Sequence, residues 1–594
     1  MTRARVALLA VALAIAGAVW ILVPPAHQSL TATPDSRTVR GAIHVHTRRS
    51  DGTGSPEDVA RAAARAGLDF VALTDHGDAT RFIDPPRYID SVLVLDGVEI
   101  STSAGHYIAL GIPRAPYRLA GQARDVVEDV HRLGGFGIAA HPDSPKTELR
   151  WRSWQAPFDA LEWLNADSQW RDESRRALVR AVLSYWFRGP ESIVALFDRP
   201  RSALGQWDTL TARRPVVGVA GHDAHARMSL VGAWEPTGGE RSLTIPSYEA
   251  AFKAFAVRAV LRQPWGRTNQ TAPRDAAALL DSLRSGRVYT VIDAIAGPAR
   301  LTFAASGAGG TSDMGGDVAA AGAVTLRVAL TPDVPDATIV LIKNGREIKT
   351  TRGSLMSIVH PAGDGAATYR VEVRHDGAPG SPAVPWIVGN PIYVTRGASR
   401  ESTPPLPRVL GHRMFEDGSG QVQWTVERDP QCTGRVDVAA PVAIPRDRAG
   451  EKIDPTFHKR LHFTWQLAGS ARSSQFAAIV TRLDGAKLRV FNQLAFRASA
   501  SRPMRLSVQL RLPDGRRWQR SVYLDETSRD IIVPLEEMTS VTGGARRAHI
   551  ERADALLFVV DTVNTSPGTA GETWFDSMRW QQARDEDRRT RGER

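Results

Sequence analysis

The sequence predicts an α/β domain followed by two all-β domains. Two observations carry this expectation. Residues 38–297 alternate short apolar strands with amphipathic helices, and from residue 298 the pattern changes to short alternating strands with Gly- and Asp-rich turns. At 594 residues the chain is too long for one core, and its content of 42% hydrophobic and 23% charged residues excludes both disorder and a multi-spanning membrane protein.

The N-terminal segment, residues 1–28, predicts export. Arg3 and Arg5 precede an apolar run over residues 6–23, and Pro24 and Pro25 end any helix there. The segment is either a signal peptide or a membrane anchor, and the length of the run favours the anchor. Because positive residues stay on the cytoplasmic side, we expect the body of the chain in the periplasm or at the cell surface.

The charge of the chain bears on its binding partners, and its cysteine content bears on disulfides and metal sites. The formal charge of +11 is spread thinly and carried mostly by arginine. It modestly favours anionic substrates or surfaces, although a solvated arginine-rich surface is the simpler interpretation, and no nucleic-acid partner is expected. Cys432 is the single cysteine, which excludes an intramolecular disulfide and a thiolate zinc site.

One βα repeat shows how the first domain is predicted. Ser55 is a typical helix N-cap residue, Pro56 suits the first helical position, and Gly67 suits the helix end. A strand over residues 70–73 follows, with His76 at its C-terminal end. Most predicted strands finish near a metal-binding residue type, at the strand ends where α/β folds carry chemistry. Further strands are expected at 92–95, 107–110, 136–139 and 216–219.

Residues 145–214 are interpreted as a more helical insertion in this domain. The insertion is rich in tryptophan and contains Trp151, Trp154, Trp163, Trp170, Trp186 and Trp207. Two interpretations stay open. The insertion forms a lid or wall over the site, or its tryptophans pack its own core.

The remainder of the chain is expected to be β-structure. Residues 298–395 are predicted to form an Ig-like sandwich, and a Pro-rich stretch then precedes a second β-domain over residues 408–580. The pattern of this second domain resembles jelly rolls that bind carbohydrate. Carbohydrate contact is one interpretation of it, and a spacer or assembly role is the other. The charged tail, residues 581–594, is expected to be disordered.

Residues with metal-binding side chains are concentrated between His44 and His225. Eight of the 15 histidines fall in this range, which is more than packing requires. The candidate metal ligands are His44, His46, Asp51, His76, Glu99, His106, His141, Asp223 and His225.

Two pairs in this set have the spacing of strand neighbours. His44 and His46 would point both imidazoles to one face of a strand, because side chains alternate with period two, and Asp223 and His225 repeat the spacing. Imidazole and carboxylate ligands suit Zn²⁺, Mn²⁺ or Fe. Nine ligands are too many for one ion, so the sequence predicts two or three divalent metal ions that share a bridging carboxylate.

The order and spacing of these residues resemble a known family. The chain contains HxHTxxSDG from residue 44, then TDH, GVEIS, AHP and GxDAH, which together look like the PHP (polymerase and histidinol phosphatase) superfamily over about residues 38–295. The resemblance implies a distorted seven-stranded β/α barrel with three metal ions. The implied ligand sets are His44, His46, Glu99 and Asp223; Asp51, His76 and His225; and Glu99, His106 and His141, with Glu99 bridging.

Three other residues near the motifs receive separate interpretations. His222 departs from the family pattern, which commonly has Ser there, and it is assigned either to supporting a ligand or to contacting substrate. Asp75, beside His76, is interpreted as a residue that orients a ligand or supports the structure. His131 falls in the middle of a predicted helix and is treated as structural.

Three functional hypotheses are compatible with these residues. The leading one is a phosphoesterase that attacks a small phosphorylated molecule with metal-activated water and no protein nucleophile. The second keeps the metals but cleaves a carbamate, ester or amide, since the short Glu99-to-His106 spacing looks more like the carbaryl-hydrolase branch. The phosphoesterase hypothesis would be favoured by basic side chains that converge on the metals, with Arg48, Arg49 and Lys146 as candidates. A Trp-lined pocket would favour the carbamate, ester or amide hydrolase. The third is a non-catalytic surface protein that binds glycan.

Overall fold

The described part of the chain forms two compact units. The computed structural model describes residues 23–31, 35–227, 245–396, 408–416, 422–439, 460–469, 474–541 and 550–584. Unit 1 comprises residues 1–114 and 126–400, and unit 2 comprises residues 115–125 and 401–594. Most of the predicted signal or anchor segment and most of the charged tail lie outside the described residues. Within the described ranges, no helix is both long and apolar enough to cross a membrane.

Strands and helices alternate between residues 28 and 297. The strands are β1 (Gln28–Ser29), β2 (Thr38–Val45), β3 (Phe70–Leu73), β4 (Arg87–Ile89), β5 (Val92–Asp96), β6 (Val98–Thr102), β7 (Gly105–Leu110), β8 (Phe136–Ala139), β9 (Ala160–Asn165), β10 (Val217–Gly221), β11 (Ala256–Val260), β12 (Val288–Val291) and β13 (Ala296–Gly297). The helices are α1 (Pro56–Arg65), α2 (Ala123–Arg132), α3 (Ala166–Arg171), α4 (Arg175–Tyr185), α5 (Gly189–Val194), α6 (Arg201–Thr211), α7 (Tyr248–Ala254) and α8 (Ala272–Arg284). The segment 145–214 therefore holds helices, as expected, and also β9, which the sequence pattern does not predict.

The α/β strands belong to two sheets. One has the spatial order β10-β9-β8-β7-β6, with β8, β9 and β10 parallel and β6 and β7 antiparallel. In the other, β2, β3 and β5 are parallel neighbours. The parallel strands β2, β3, β8 and β10 each end within three residues of a candidate ligand. The topology thus brings these candidates to one side of the sheets.

Strand β2 connects the two sheets. Its first half pairs with β11, and its second half approaches the end of β10, where the His222 amide donates to the Ile43 carbonyl at 2.9 Å. Beyond the end of β3, the Glu99 amide donates to the Asp75 carbonyl at 3.2 Å, which links this strand end to β6. The seven-stranded barrel stays a prediction.

Helix α1 forms where its capping residues predict it. The Asp58 amide donates to the Ser55 hydroxyl at 3.1 Å, and the Ser55 amide donates to the Asp58 carboxylate at 2.9 Å, which makes a capping box. Pro56 lies in the first turn, and Gly67 follows the helix with a φ of 72°, a conformation that favours glycine. The predicted start and end of this helix are confirmed.

The strands after residue 298 continue the larger sheet of unit 1. They are β14 (Arg300–Asp313), β15 (Asp317–Thr331), β16 (Ala337–Lys343), β17 (Arg346–Arg352), β18 (Leu355–His360), β19 (Ala367–His375), β20 (Ile387–Gly389) and β21 (Ile392–Thr395). β20 pairs with β12 of the α/β part, and the buried Asn390 side chain donates to the Val288 carbonyl at 2.8 Å. An Ig-like sandwich that is a domain of its own stays a prediction.

A buried ion network also joins these two parts of unit 1. Arg370, on β19, donates to both carboxylate oxygens of Asp208, on α6, at 2.9 Å. It donates to Glu372 at 2.7 Å as well, and Glu372 accepts two further bonds from Arg199 at 2.6 and 2.9 Å. Since Arg370 and Glu372 are buried, each charge depends on its partners for compensation.

The described part of unit 2 is built mainly of β-strands, with short 3-10 helices at Gly485–Leu488, Leu535–Glu537 and Ile550–Arg552. The strands are β22 (Arg408–Glu416), β23 (Thr425–Arg428), β24 (Thr433–Ala439), β25 (Arg460–Gln466), β26 (Phe476–Arg482), β27 (Gln493–Ala500), β28 (Met504–Arg511), β29 (Arg517–Leu524), β30 (Arg529–Pro534), β31 (Thr539–Ser540), β32 (Ala555–Asp561) and β33 (Ala570–Arg584). One sheet has the order β24-β25-β33-β27-β30, and another has the order β23-β26-β32-β28-β29-β31. β33 extends to Arg584, past the expected domain end at 580, because its last residues pair with β22. The jelly roll stays a prediction.

Candidate metal centre

The nine candidate ligands lie together in unit 1. They come from β2 and the loop after it (His44, His46, Asp51), the end of β3 (His76), the β6–β7 hairpin (Glu99, His106), the end of β8 (His141) and the end of β10 (Asp223, His225). Every candidate ligand predicted from the sequence is thus brought to one place.

Glu99 lies at the centre of this cluster. Its side chain is buried, and its backbone belongs to β6. Its carboxylate oxygens lie 2.7 to 3.2 Å from a ring nitrogen of each of five histidines, which are His44, His46, His76, His106 and His141. A single carboxylate with this reach is suited to bridge metal ions.

Asp223 approaches the same histidines from the end of β10. Its Oδ1 is 3.3 Å from Nε2 of both His44 and His46, and its Oδ2 is 3.5 Å from Nδ1 of His141. The His44 and His46 rings therefore lie between two carboxylates, those of Glu99 and Asp223.

Asp51 belongs to the outer, accessible side of the cluster. Its Oδ2 is 3.2 Å from Nε2 of His225 and 3.6 Å from Nε2 of His76. The side chains of His76, Asp51 and His225 are 36%, 33% and 20% exposed, whereas those of His44 and Glu99 are fully buried. A substrate would reach the cluster from this side.

Among the described residues, four groups place their ligand atoms within 4.8 Å of one another. They are His46, Asp51, His76 and His225; His44, His46 and Asp223; His44, Glu99 and His141; and His76, Glu99 and His106. The first group contains the implied set of Asp51, His76 and His225 together with His46. The implied set of Glu99, His106 and His141 is divided between two groups. The cluster offers enough ligand atoms for two or three ions.

Several ligand atoms are buried without a hydrogen-bond partner. They are Nε2 of His44, Nε2 of His46, Oδ1 of Asp51, Oε2 of Glu99 and Nδ1 of His141. Buried polar atoms are ordinarily hydrogen-bonded, since desolvating one without a partner costs about 1–3 kcal/mol. Imidazole nitrogens and carboxylate oxygens that face one another in this state fit divalent metal ions of the Zn²⁺, Mn²⁺ or Fe type.

The charges of the cluster perturb its pKa values. Burial by itself would lower the pKa of His141, but the Asp223 and Glu99 carboxylates raise it to about 9. Neighbouring carboxylates raise the pKa of His225 to about 9 against the same effect of burial. Burial would raise the pKa values of Glu99 and Asp223, yet His44 and other histidines hold both well below their usual range. The carboxylates therefore require adjacent positive charge, which protons or metal cations supply.

Three of the candidate ligands have left-handed backbone conformations. The φ angles are 67° at His44, 51° at His141 and 48° at Asp223. Non-glycine residues in this region are uncommon and carry strain of the order of 1–3 kcal/mol each. The surrounding strands impose these conformations, and each of the three side chains points into the cluster.

Glu162 is a member of the site that no sequence motif indicates. Its Oε1 is 2.6 Å from Nδ1 of His44, the ring nitrogen opposite to the one that faces Glu99. Its Oε2 accepts the His141 amide at 2.9 Å and the Asn165 side-chain amide at 2.8 Å. Glu162 thus fixes the ring orientation of His44 and the backbone of His141. The one available signal was a lone carboxylate within the apolar run of β9.

Asp75 supports the loop after β2 with its carboxylate, while its backbone carbonyl accepts the Glu99 amide at 3.2 Å. Its carboxylate accepts the Thr47 amide at 2.7 Å, the Thr47 hydroxyl at 2.8 Å and the Ser50 hydroxyl at 2.6 Å. Gly52 completes the loop, because a Cβ there would overlap the His46 carbonyl. Asp75 therefore positions the turn from which Asp51 reaches the cluster.

His222 is directed away from the ligands. Its Nε2 lies 2.9 Å from the Phe255 carbonyl, and its ring stacks on Phe255 with centroids 4.0 Å apart. Burial lowers its pKa to about 4, so the imidazole is neutral near pH 7. Of its two proposed roles, substrate contact has no support in this geometry.

Two of the three basic residues near the motifs, Arg48 and Arg49, are engaged in ion pairs. Arg48 pairs with Asp58 at 3.3 Å, and Arg49 pairs with Asp84 and with the buried Asp96. We therefore assign these two arginines no role in binding a substrate. Lys146 is partly buried, and its backbone amide donates to Ser144 at 3.3 Å.

The tryptophans of segment 145–214 fall into different environments. Trp151, Trp163 and Trp207 are no more than 1% exposed, and Trp207 donates to the Val216 carbonyl at 2.8 Å. Trp151 stacks on Tyr107 with ring centroids 5.4 Å apart, and the Trp163 indole donates to the Thr290 hydroxyl at 3.2 Å. These buried tryptophans therefore pack against residues outside the segment as well, and not only in a core of its own. Trp186 is 75% exposed.

Comparison with known proteins shows similarity over part of the chain. Residues 42–119 match the PHP domain family, and this segment includes six of the nine candidate ligands. An uncharacterized protein of Methanocaldococcus jannaschii is 27% identical over 143 residues, which cover 22% of this chain and 82% of that protein.

Solved structures show weaker similarity. A two-domain protein of Bacteroides vulgatus, described as containing a predicted PHP-like metal-dependent phosphoesterase, is 15% identical, with coverage of 62% of this chain and 98% of that chain and a TM-score of 0.29. A family 11 carbohydrate-binding module of Clostridium thermocellum is 11% identical, with coverage of 29% of this chain and 96% of that chain and a TM-score of 0.23.

Proposed function

We propose that this protein is a metal-dependent hydrolase that cleaves phosphoester bonds with water. The observation that carries the proposal is the cluster around Glu99, in which buried imidazole and carboxylate atoms face one another without hydrogen-bond partners. The match of residues 42–119 to the PHP domain supports the same class of chemistry. The substrate is a small phosphorylated molecule.

The cluster would hold two or three divalent cations. The inner ligands are His44, His46, Glu99, His141 and Asp223, and the outer ones are Asp51, His76, His106 and His225. When bound, such cations polarise the oxygen under attack and lower the pKa of water from about 15.7 toward 7. The chain supplies no side chain that we assign as a nucleophile.

The chain's own residues prepare the site for this chemistry. Glu162 keeps the His44 ring in one orientation through a 2.6 Å contact to Nδ1, which leaves Nε2 directed at Glu99 and Asp223. Asp75 holds the loop of Asp51. The greater exposure of Asp51, His76 and His225 defines the face that substrate and water approach.

Two further parts of the proposal concern the barrel fold and the location of the chain. We propose that β2, β3, β6, β7, β8, β9 and β10 make the seven-stranded barrel, supported by the bonds from His222 to Ile43 and from Glu99 to Asp75. We also propose that residues 6–23 anchor an exported chain. Carbamate hydrolysis in the manner of the carbaryl-hydrolase branch has no separate observation in its favour and is treated as an outcome of the assay.

The test is metal analysis together with hydrolysis by the full-length chain. Bound metals are counted, and turnover is measured on para-nitrophenyl phosphate, bis(para-nitrophenyl) phosphate, para-nitrophenyl acetate and a carbamate ester. We expect two or three metals per chain and preference for a phosphoester. The His44→Ala/His46→Ala variant should lose activity by about 100-fold or more, because it removes ligands that face both Glu99 and Asp223.

A matched control uses a histidine outside the cluster. His131, on α2, lies 3.0 Å from Asp159 and contacts none of the candidate ligands in the described contacts. His131→Ala should retain metal and turnover. Preference for the carbamate ester would favour carbamate hydrolysis over the proposed phosphoesterase activity. Fewer than one metal per chain after reconstitution, together with no turnover of any substrate, would refute the proposal that the protein is an enzyme.

A further inference from the structure

Helix α4 and the turn after it expose a stripe of large apolar side chains. Val179, Leu183, Trp186 and Phe187 are 59%, 52%, 75% and 64% exposed. Their spacing of four, three and one residues places them on one face of a helix. The helical turn continues past Tyr185, since the Phe187 amide donates to the Ser184 carbonyl at 2.9 Å. An outward stripe of this size marks an interaction site more often than an ordinary surface.

The apolar stripe is separate from the face of α4 that packs on the protein. Leu178, Ala181, Val182 and Tyr185 line an apolar crevice with Leu196, Phe197 and other side chains of unit 1. Both the inner and the outer faces of the helix are therefore apolar. The inner face accounts for the attachment of α4 to unit 1, and the described residues of unit 1 leave the outer stripe exposed.

Positive charge accompanies the stripe. Residues 174–188 contain four arginines and no acidic residue. Arg175, Arg176 and Arg180 are exposed. Next to Phe187 is a cavity of about 460 Å³ whose charged lining residues are Arg40, Arg188, Lys253, Glu191 and Asp293. Apolar side chains that include Trp and Phe, flanked by arginine, are typical of helices that lie in the interface of an anionic membrane.

The start of the described chain lies at this same helix. Arg188 donates to the Pro24 carbonyl at 2.6 Å, and Pro24 and Pro25 line a cavity of about 500 Å³ together with Arg176 and Arg180. In the sequence, the apolar run of residues 6–23 immediately precedes Pro24. Pro24 and Pro25, which follow this run in the sequence, thus lie beside α4.

We propose that the α4 stripe rests on the surface of an anionic phospholipid bilayer. Trp186 and Phe187 enter the boundary between headgroups and acyl chains, and the arginines of residues 174–188 contact phosphate groups. Together with the anchor, this second contact fixes how unit 1 is oriented on the membrane. The proposal is independent of the hydrolase activity, because none of these residues belongs to the metal cluster.

The test places a fluorescent label on the stripe of the full-length chain in nanodiscs of phosphatidylethanolamine and phosphatidylglycerol that hold one copy each. Leu183→Cys and Phe187→Cys are labelled with an environment-sensitive dye. Cys432 is buried, so the unsubstituted chain serves as the labelling blank. We expect quenching by nitroxide-bearing lipids to exceed quenching by aqueous iodide at least several-fold at both positions.

The matched control is Leu355→Cys, a 69% exposed apolar position on β18 of the same unit. Its label should show the reverse ratio. Equal accessibility to iodide at Leu183, Phe187 and Leu355 would overturn the proposal. Lipid quenching that is unchanged when phosphatidylcholine replaces both lipids would overturn the requirement for an anionic surface. Quenching that appears only when two copies share a nanodisc would assign the stripe to a second copy instead.

Discussion

His44 is held by carboxylates on both sides of its ring. Glu162 lies 2.6 Å from Nδ1, and Glu99 and Asp223 lie 3.2 and 3.3 Å from Nε2. A carboxylate that accepts from the far nitrogen of a ligating histidine fixes its tautomer and raises its basicity. The residues that the motifs identify therefore depend on one residue outside every motif.

Replacement of Glu162 by glutamine should weaken metal binding while the fold is retained. The amide oxygen can still accept the His141 backbone bond, but it no longer carries the charge that faces His44 Nδ1. We expect metal affinity to fall by about 10- to 100-fold, measured by competition with a chromophoric chelator. Asp159→Asn, a carboxylate-to-amide change three residues earlier, is the control. Equal affinities for the two variants would show that Glu162 has no positioning role.

The clustering of the nine candidate ligands was predictable from sequence because their residue types and spacings form recognisable motifs. Glu162 was not, because it occurs alone among apolar residues and its partner His44 is 118 positions away. The engagement of Arg49 with Asp84 and Asp96 was hidden for the same reason, since these partners come from other segments.

Adjacent strands β9 and β10 determine where Glu162 lies. Gly221, at the end of β10, contacts this side chain so closely that a Cβ would overlap Oε1 of Glu162. Gly221→Ala should therefore displace the carboxylate from His44 and reduce metal affinity to a similar extent as Glu162→Gln. Gly205→Ala, on α6, is the control, because a Cβ there meets nothing within 4 Å. Unreduced affinity in Gly221→Ala would contradict this geometry.

The contact between β19 and α6 predicts a dependence of stability on pH. Burial would raise the pKa of Glu372, but Arg370 and Arg199 lower it in the folded state. Because the pKa of Glu372 is lower in the folded state, its ionised carboxylate stabilises the protein at pH values above its unfolded-state pKa of about 4.3. This stabilisation is lost as the pH falls from there through the folded-state pKa. Glu372→Gln should cost about 3–5 kcal/mol near neutral pH, because it leaves Arg370 without full compensation.

Calorimetry of the full-length chain at a series of pH values checks this expectation. The difference in unfolding temperature between wild type and Glu372→Gln should be constant above about pH 5 and should shrink below about pH 4. Glu347→Gln, at an exposed ion pair with Arg374, is the control and should change stability little. A difference that stays constant down to pH 2 would show that Glu372 is not the titrating group.

At the level of elements, the sequence predicted the βα repeat of α1 and β3 well, because capping residues and an apolar run are local signals. β9 was obscured by the tryptophan-rich segment that surrounds it, since the run from Ala160 to Asn165 lacks a clear alternation. The pairing of β12 with β20 joins residues almost 100 positions apart and has no local signal.

For the whole molecule, we expect metal bound at the cluster to be a determinant of stability. Several buried ligand atoms lack other partners, and cations that bind only the folded state stabilise it by mass action. Removal of metal by chelation should lower the unfolding temperature of unit 1, and addition of Zn²⁺ or Mn²⁺ should restore it. Metal at 100 times its dissociation constant corresponds to about 2.7 kcal/mol.

The variant His44→Ala/His46→Ala provides the control for this experiment. Its unfolding temperature should respond little to chelation or to added metal. An identical response in the variant and the wild type would mean that the ions that stabilise the protein bind elsewhere.

The position of β2 in the sheets also constrains when the site can form. β2 spans Thr38–Val45, whereas its neighbours β10 and β11 span Val217–Gly221 and Ala256–Val260. During synthesis from the N-terminus, the edge of β2 that faces β10 and β11 must therefore stay unpaired until residue 260 has been added. Pairing between such distant segments is slow and exposes strand edges to aggregation. We therefore expect the metal cluster to assemble only after β10 and β11 have reached β2.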